Sequence, residues 1–484
     1  MGDVNLCVGN DLSKKVNFIC LIAAIFLVLL LPLKKEIWYD ETVSVLCSKG
    51  ISHDTHLQFA DTTIVHSADI EKLNNAANVF TATVNDNANS FLYNLKLHWI
   101  TRLFGRSITA YMLLSKLCAV ITLIAFYFLS RQFFKDSLFT GLAVLLLVTD
   151  LNFISMSHEI RAYSMGTTFV TLAAVFFFSY LNTKERPVYL FLVSFFGVCA
   201  VLSHFLTVYI IAVFLVALIL LKGKKLFTFK NMAAGLIPLI PLILFFWEAY
   251  SGIGVMKGQS RNIEDGYANY GFHISEVFLR SMKYMSMNFK MVFPAFSSGT
   301  SVVFISFLVT IALFVLGIMG ATNKNEKTTL KLMFALGTVS TVLLLLLSLK
   351  SGHYTSLYFR YHSFALPFCS LAVVYVLFIR FNSHKVNRLV KYVAAAVIVL
   401  PSLAFFAKSV FKESLNVHYN HPSIAAQIVK NNLNRVGVPD WQDAFLLQSL
   451  LPQGYKIDYF RSTKGDFFIL YKQTGTELIP AIKD

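Results

Sequence analysis

Charge is scarce in this chain. Only 14% of its 484 residues are Asp, Glu, Lys or Arg, against about a quarter in soluble globular domains. That excludes an ordinary water-soluble body over most of the length. Cysteine is scarce as well. Cys7, Cys20, Cys47, Cys118, Cys199 and Cys369 include no CxxC pair and no Cys/His spacing of a zinc site, so neither a disulfide framework nor structural zinc is expected. No GxGxxG, Walker loop or GxSxG elbow occurs in a plausible context. Repeats and low-complexity segments are also missing. Without a nucleotide site, a group-transfer enzyme built on this chain has to draw its activated group from the membrane.

Apolar residues dominate instead. They make up 56% of the chain, and mean hydropathy is +0.62. A helix needs about 20 apolar residues to cross a bilayer. Candidate spans are 17–33, 108–130, 137–156, 162–181, 187–203, 205–221, 231–247, 300–320, 329–349, 362–380 and 390–408, about eleven in all. The first follows Lys14 and Lys15 with no small-residue cleavage site, so it reads as a retained span. The weakest boundary is Ser203-His204, which holds neither Gly nor Pro.

The net charge is +16. No basic stripe interleaved with aromatics accompanies it, which argues against nucleic acid. The charge is distributed as the positive-inside bias requires. Lys14/Lys15, Arg131/Lys135, Lys184/Arg186, Lys222/Lys224/Lys225, Lys324/Lys327 and Arg380/Lys385/Arg388 share one side when the N-terminus is cytoplasmic. Residues 34–107, 248–299 and 409–484 then lie on the extracytoplasmic side. Within the first, 89–104 places Phe91, Leu95, Trp99 and Leu103 on one helical face, the pattern of an interfacial helix. In the tail, 422–434 reads as helix and 466–472 as strand. The expected architecture is an all-α polytopic membrane domain over 1–410 with a small α+β extracytoplasmic domain over 411–484.

Three segments and one further histidine could carry chemistry. Asp40 and Glu41 follow the first span; adjacent residues point in different directions, so one faces a site while the other supports the backbone. The acid facing the site suits a general base at the membrane surface. His158-Glu159-Ile160-Arg161-Ala162-Tyr163-Ser164 opens a later span, and the planar donors of Arg161 suit a phosphate. Glu159 could hold Arg161. Lys350, His353, Arg360 and Tyr361 lie around a late polar and aromatic loop, where Arg360, Lys350 and His353 could form a cationic patch for a lipid phosphate. His204 sits at the tip between two spans. The plain alternatives are a solvated loop start, a snorkelling arginine and an aromatic interface belt. The histidines and acids of 53–69 (His53, Asp54, His56, Asp61, His66, Asp69) fit no ligand template, so no cofactor is expected, and a divalent metal stays open without support from the spacing.

In their order, Asp40-Glu41, Glu159-x-Arg161-x-Tyr163 and Arg360-Tyr361, with a long first outer loop, resemble the GT-C glycosyltransferases. The protein O-mannosyltransferase and aminoarabinose transferase group is the nearest branch. The resemblance covers the span order to about residue 410. It implies a polyprenyl-phosphate sugar as donor and the acidic pair as the source of the catalytic carboxylate. One departure is the segment Asp86-Asn87-Ala88-Asn89-Ser90, where relatives often have a His-Pro-Pro-like turn.

The expected activity is sugar transfer from a polyprenyl-phosphate donor to a hydroxyl of a glycan, lipid or protein, with inversion. Phosphate leaves readily, so one base suffices where a glycosidase needs two carboxylates. Asp40 is that base, with Arg161, Arg360, Lys350 and His353 toward the phosphate and Glu159, Tyr163, Tyr361 and His204 in support. A transporter or flippase is the main rival, but it should place ionisable groups near mid-membrane. Here Lys116 and Asp150 are the exceptions to nearly charge-free span centres. A ligase or polymerase using a lipid-diphosphate glycan is the second rival. The basic balance and unpaired cysteines favour a bacterial inner membrane.

Overall fold

The structure, a computed structural model, describes residues 4–31, 37–52, 59, 61–86, 89–135, 138–182, 186–250, 273–290, 299–351, 359–383, 418–419, 421–438, 440–461, 467–472 and 475–480. Among them, eight helical stretches are long and apolar enough to cross a membrane. These are Leu12–Leu30, Ile108–Phe134, Tyr163–Asn182, Phe205–Phe227, Phe229–Ala249, Thr300–Gly320, Lys324–Lys350 and Arg360–Phe381. Leu138–Val148 and Leu151–His158 together qualify as a ninth, bent by 61°, and Pro187–Ser203 is a shorter apolar helix. The chain is a multi-pass membrane protein. Every expected span from 17–33 to 362–380 coincides with one of these helices. The last, 390–408, lies outside the described residues.

The first half runs α1 (Val4–Leu30), β1 (Ile37–Trp38), α2 (Tyr39–Ser48), β2 (Ile64–His66), α3 (Ser67–Leu73), α4 (Ala76–Asn85), α5 (Phe91–Phe104), α6 (Ile108–Phe134), α7 (Leu138–Val148), α8 (Leu151–His158), α9 (Tyr163–Asn182) and α10 (Pro187–Ser203). Helices apolar on all sides have no amphipathic stripe to orient them in lipid, so small residues and buried hydroxyls set their packing. Between α6 and α9, Ser164 Oγ donates to the Ser115 carbonyl (2.8 Å), Thr168 Oγ1 donates to the Cys118 carbonyl (2.7 Å), and Thr122 and Thr168 share a hydroxyl contact of 2.8 Å. Between α1 and α7, Asn17 Oδ1 accepts from the Gly141 N–H (2.9 Å), and a Cβ on Gly141 would meet that oxygen at 2.8 Å.

The bend between α7 and α8 is a capped break. Asp150 accepts from the N–H groups of Asn152 (2.8 Å) and Phe153 (3.1 Å), as an N-cap does. Lys290 forms a buried ion pair with it. The carboxylate inside span 137–156 is therefore satisfied within the fold. Lys116 donates to the Leu29 carbonyl (3.2 Å) from an exposed position. α10 ends at Ser203 without Gly or Pro. His204 is extended there (φ −160°, ψ 121°), and its Nδ1 accepts from the Leu206 N–H (3.3 Å). The imidazole takes the place of a breaker residue.

At one end of the bundle, the segment between α1 and α6 packs with the tail. One five-stranded sheet runs in the order β2-β5-β4-β6-β7, with β4 Arg435–Val438, β5 Asp458–Arg461, β6 Phe467–Lys472 and β7 Gly475–Pro480. β2 belongs to the early segment and lies antiparallel to β5. A second ladder joins β1 to β3 (His418–Tyr419), Ile37 opposite Tyr419 and Trp38 opposite His418. The core beneath mixes Leu46, Ile51, Val65 and Ile70 with Ile424, Ile428, Val436, Trp441 and Phe445. The tail helices are His421–Lys430 and Trp441–Leu450. Helix 421–430 and strand 467–472 fall where the sequence places them.

α5 leaves part of its expected apolar face open, while Phe91 of that face packs against Phe80 and Phe245. Trp99 is 49% exposed and Leu103 76%. Its polar face turns inward, where Asn94 donates to Thr83 Oγ1 (3.2 Å) and His98 Nδ1 meets the Ser48 carbonyl (2.8 Å).

Candidate active site

Asp40 and Glu41 open α2, where the exposed N–H groups of a first turn favour carboxylates. They diverge as adjacent residues must. Glu41 is wholly buried, and its Oε1 accepts from the Ile160 N–H (2.6 Å). It ties the start of α2 to the connector between α8 and α9. Glu41 supports the backbone there, while Asp40 faces the arginines. Asp40 keeps 23% of its side chain exposed, enough for water to reach it.

The fold brings Asp40, Arg161 and Arg360 together from three distant parts of the chain. Arg360 Nη2 lies 3.0 Å from Asp40 Oδ2, and Arg161 Nη2 lies 3.9 Å from the same oxygen. Arg161 is held mainly by the start of α2: its Nη1 donates to the Asp40 carbonyl (2.8 Å) and to Ser44 Oγ (3.1 Å). Glu159 does not serve as its holder. Glu159 accepts from Ser155 Oγ (2.7 Å), so the sequence expectation that it steadies Arg161 is corrected to Asp40 and Ser44.

An aromatic wall stands beside the two arginines. Arg161 lies 5.8 Å from the Tyr163 ring and Arg360 5.2 Å from the Tyr361 ring. Tyr163 and Tyr361 meet edge to face at 6.0 Å, and His204 lies 5.1 Å from Tyr163 and 6.2 Å from Tyr361. Burial pushes the His204 imidazole down to about 3, helped by the positive charge of Arg161 and Arg360. His204 is therefore neutral at any physiological pH.

Lys350 is exposed at the end of the helix Lys324–Ser351, and no contact among the described residues joins it to this group. His353 lies outside the described residues, as do His53, Asp54 and His56. Of the other polar residues in 53–69, His66 pairs with Asp458 (2.8 Å) and Asp69 with Lys72 (2.8 Å).

Sequence reasoning missed three contributors. Ser44 gives no motif signal, although one helical turn from Asp40 was the clue available. Asp86 acts electrostatically on Arg161 from the segment noted only as a departure. Asn89, in that segment, accepts from the Phe205 N–H (3.2 Å) and so fixes the turn that carries His204.

A carboxylate open to water can accept a proton, and the two fixed guanidiniums beside it can stabilise a phosphate. Residues 89–247 match the family described as dolichyl-phosphate-mannose-protein mannosyltransferase. The matched segment contains Arg161, Tyr163 and His204. Comparison with curated protein sequences gives no match.

Among solved structures, the chain is similar to the Archaeoglobus fulgidus oligosaccharyltransferase in complex with Zn and sulfate (TM-score 0.46, 10% identity, 90% of this chain and 61% of that one). It is similar also to the oligosaccharyltransferase AglB of that organism in complex with an inhibitory peptide and a dolichol-phosphate (TM-score 0.45, 10% identity, 90% and 63%). ArnT from Cupriavidus metallidurans bound to undecaprenyl phosphate gives a TM-score of 0.39 at 12% identity, over 93% of this chain and 86% of that one. The chain thus spans less than two thirds of the archaeal enzymes' length.

Proposed function

We propose that this protein is an integral-membrane glycosyltransferase that moves a sugar from a polyprenyl-phosphate donor to an acceptor hydroxyl on the extracytoplasmic face, with inversion. The observation that carries the reading is the meeting of Asp40, Arg161 and Arg360 around one carboxylate oxygen. Asp40 takes the proton from the acceptor hydroxyl as its oxygen attacks the anomeric carbon. The sugar–phosphate bond breaks on the opposite side of the sugar, and the bonding pair leaves with the phosphate. Arg161 and Arg360 meet the charge that grows there. A preorganised donor of this kind lowers the barrier by roughly 3 kcal/mol. Tyr361 flanks Arg360, and Glu41 holds the connector from which Arg161 projects. Lys350, at the exposed end of its helix, and His353 stay assigned to the phosphate side from their place in the sequence alone. The acceptor is a glycan, lipid or protein hydroxyl, and the setting is a bacterial inner membrane with the N-terminus cytoplasmic and the tail extracytoplasmic. The family match over 89–247 and the lipid-directed motifs support the donor class.

The deciding experiment supplies the purified protein in lipid nanodiscs with a sugar-labelled polyprenyl monophosphate, and separately with a polyprenyl-diphosphate oligosaccharide. Label should leave the monophosphate donor and not the diphosphate one. Consumption of the diphosphate donor alone would replace this reading with a ligase or polymerase.

A further inference from the structure

Beside the two arginines lie two buried polar atoms without partners among the described residues, His204 Nε2 and the Tyr163 hydroxyl. Both side chains are at least nine-tenths buried. A buried donor left unpaired costs about 1–3 kcal/mol, and two such atoms in one place call for an occupant. Their rings lie 5.1 Å apart. Tyr163 also stands 5.8 Å from the Arg161 guanidinium, and Tyr361 bridges the pair to Arg360.

The geometry fixes which imidazole nitrogen carries the proton. Nδ1 accepts from the Leu206 N–H, so in the neutral ring the hydrogen sits on Nε2. The ring cannot readily turn over. Asn89 holds the Phe205 N–H, Phe364 packs 5.1 Å from the imidazole, and the absence of a side chain at Gly166 admits Phe364. His204 is thus a fixed, uncharged N–H donor next to a site of fixed positive charge.

Resting on the glycosyltransferase reading above, we infer that His204 Nε2–H and the Tyr163 hydroxyl form a neutral subsite that donates hydrogen bonds to the phosphate of the polyprenyl-phosphate donor, on the side away from Asp40. The arginines supply charge, and these two groups supply direction. A neutral donor holds a phosphate oxygen without titrating, so the grip on the leaving group stays constant over the working pH range.

The test measures polyprenyl monophosphate binding to the full-length protein in nanodiscs, with inorganic phosphate as a separate arm. His204→Phe and Tyr163→Phe should each weaken polyprenyl phosphate binding by about tenfold or more, the loss of one hydrogen bond to a charged group. His204→Gln, which keeps an N–H donor, should recover most of the loss. The wild-type affinity should follow only the lipid phosphate's own second ionisation, near pH 6, and the profile should be the same in His204→Gln. Inorganic phosphate should bind far more weakly, which would separate a lipid-phosphate subsite from a general anion site. Tyr163→Phe removes a single oxygen and keeps the ring, so its outcome is independent of any folding defect in the histidine variants. Affinities within twofold of wild type in both Phe variants would overturn the subsite alone. So would a wild-type affinity that titrates near pH 6.5 and loses that titration in His204→Gln. A wild-type protein that binds no polyprenyl phosphate would overturn the donor reading beneath it.

Discussion

Replacing Asp40 by Asn removes one charge and almost no volume, so it isolates the proposed base. The main-chain oxygen of residue 40 still accepts from Arg161 Nη1 (2.8 Å), and Ser44 still accepts from the same nitrogen (3.1 Å), so Arg161 stays in place. What disappears is the carboxylate 3.0 Å from Arg360 Nη2 and 3.9 Å from Arg161 Nη2. At an effective dielectric of about 20, the nearer contact represents roughly 5 kcal/mol of attraction before desolvation is set against it. Losing it leaves both guanidiniums more exposed to an incoming anion. Donor binding should therefore hold or tighten in Asp40→Asn. Transfer should fall by about 10²–10⁴, the usual contribution of a positioned base. Single-turnover chemistry with labelled donor in nanodiscs gives the rate, and polyprenyl phosphate binding gives the affinity. Turnover within tenfold of wild type would refute the base assignment. A donor affinity that collapses along with the rate would mean that Asp40 organises the site and does not take the proton.

Other expectations follow from the packing. The Lys49 ammonium is lowered to about 7, first by burial and then by Arg106, with Arg102 adding to it. Its unfolded counterpart titrates near 10.4, so between about pH 7 and 10 the unfolded chain binds the extra proton and stability rises with pH. A thermal-unfolding series over pH 6.5–10 should show that rise, and Lys49→Met should flatten it. Arg106 is clamped by both oxygens of Glu71, with Gln448 of the tail donating to the same carboxylate (3.2 Å). Glu71→Ala should destabilise the junction of early segment and tail by roughly 3 kcal/mol by stranding the arginine, seen as faster proteolysis of the tail. In Gly166→Ala the new methyl would meet Phe364 Cε1 at 2.7 Å. Overpacking of this kind costs about 1–3 kcal/mol, and by pushing Phe364 against His204 it should weaken polyprenyl phosphate binding while leaving expression intact.

The tail bears on the site through the strand before the base. β1 ends at Trp38, two residues from Asp40, and it is paired with β3 at the start of the tail. Leu446 of the tail packs with Ile37 and Val45 on either side of Asp40, and the Tyr111 hydroxyl donates to the Ser449 carbonyl (2.8 Å). None of this was legible in the sequence, where 411–484 reads as an appended domain. Strand pairing across 380 residues leaves no local periodicity to detect, and a two-residue ladder leaves even less.

The spans were legible because lipid imposes a length and a composition that need no knowledge of neighbours. The same holds for the helix boundary at His204, where the local hydrogen bond that ends α10 lies within two residues. Asp40, Arg161 and Arg360 could be named as candidates since ionisable residues are few at the span ends opposite the basic loops. Their division of labour could not. Glu41 turned inward to the Ile160 amide, Glu159 turned to Ser155, and Ser44 and Asp86 entered around Arg161.

By itself, then, the sequence determined a chain that must cross the membrane many times and carry its polar chemistry at the span ends, because burial of charge in hydrocarbon is too costly to allow otherwise. Which polar groups meet was decided only by helix packing. Contacts between residues more than a hundred positions apart depend on how the spans dock, and docking is set by small residues and hydroxyls scattered without pattern along α1, α6, α7 and α9.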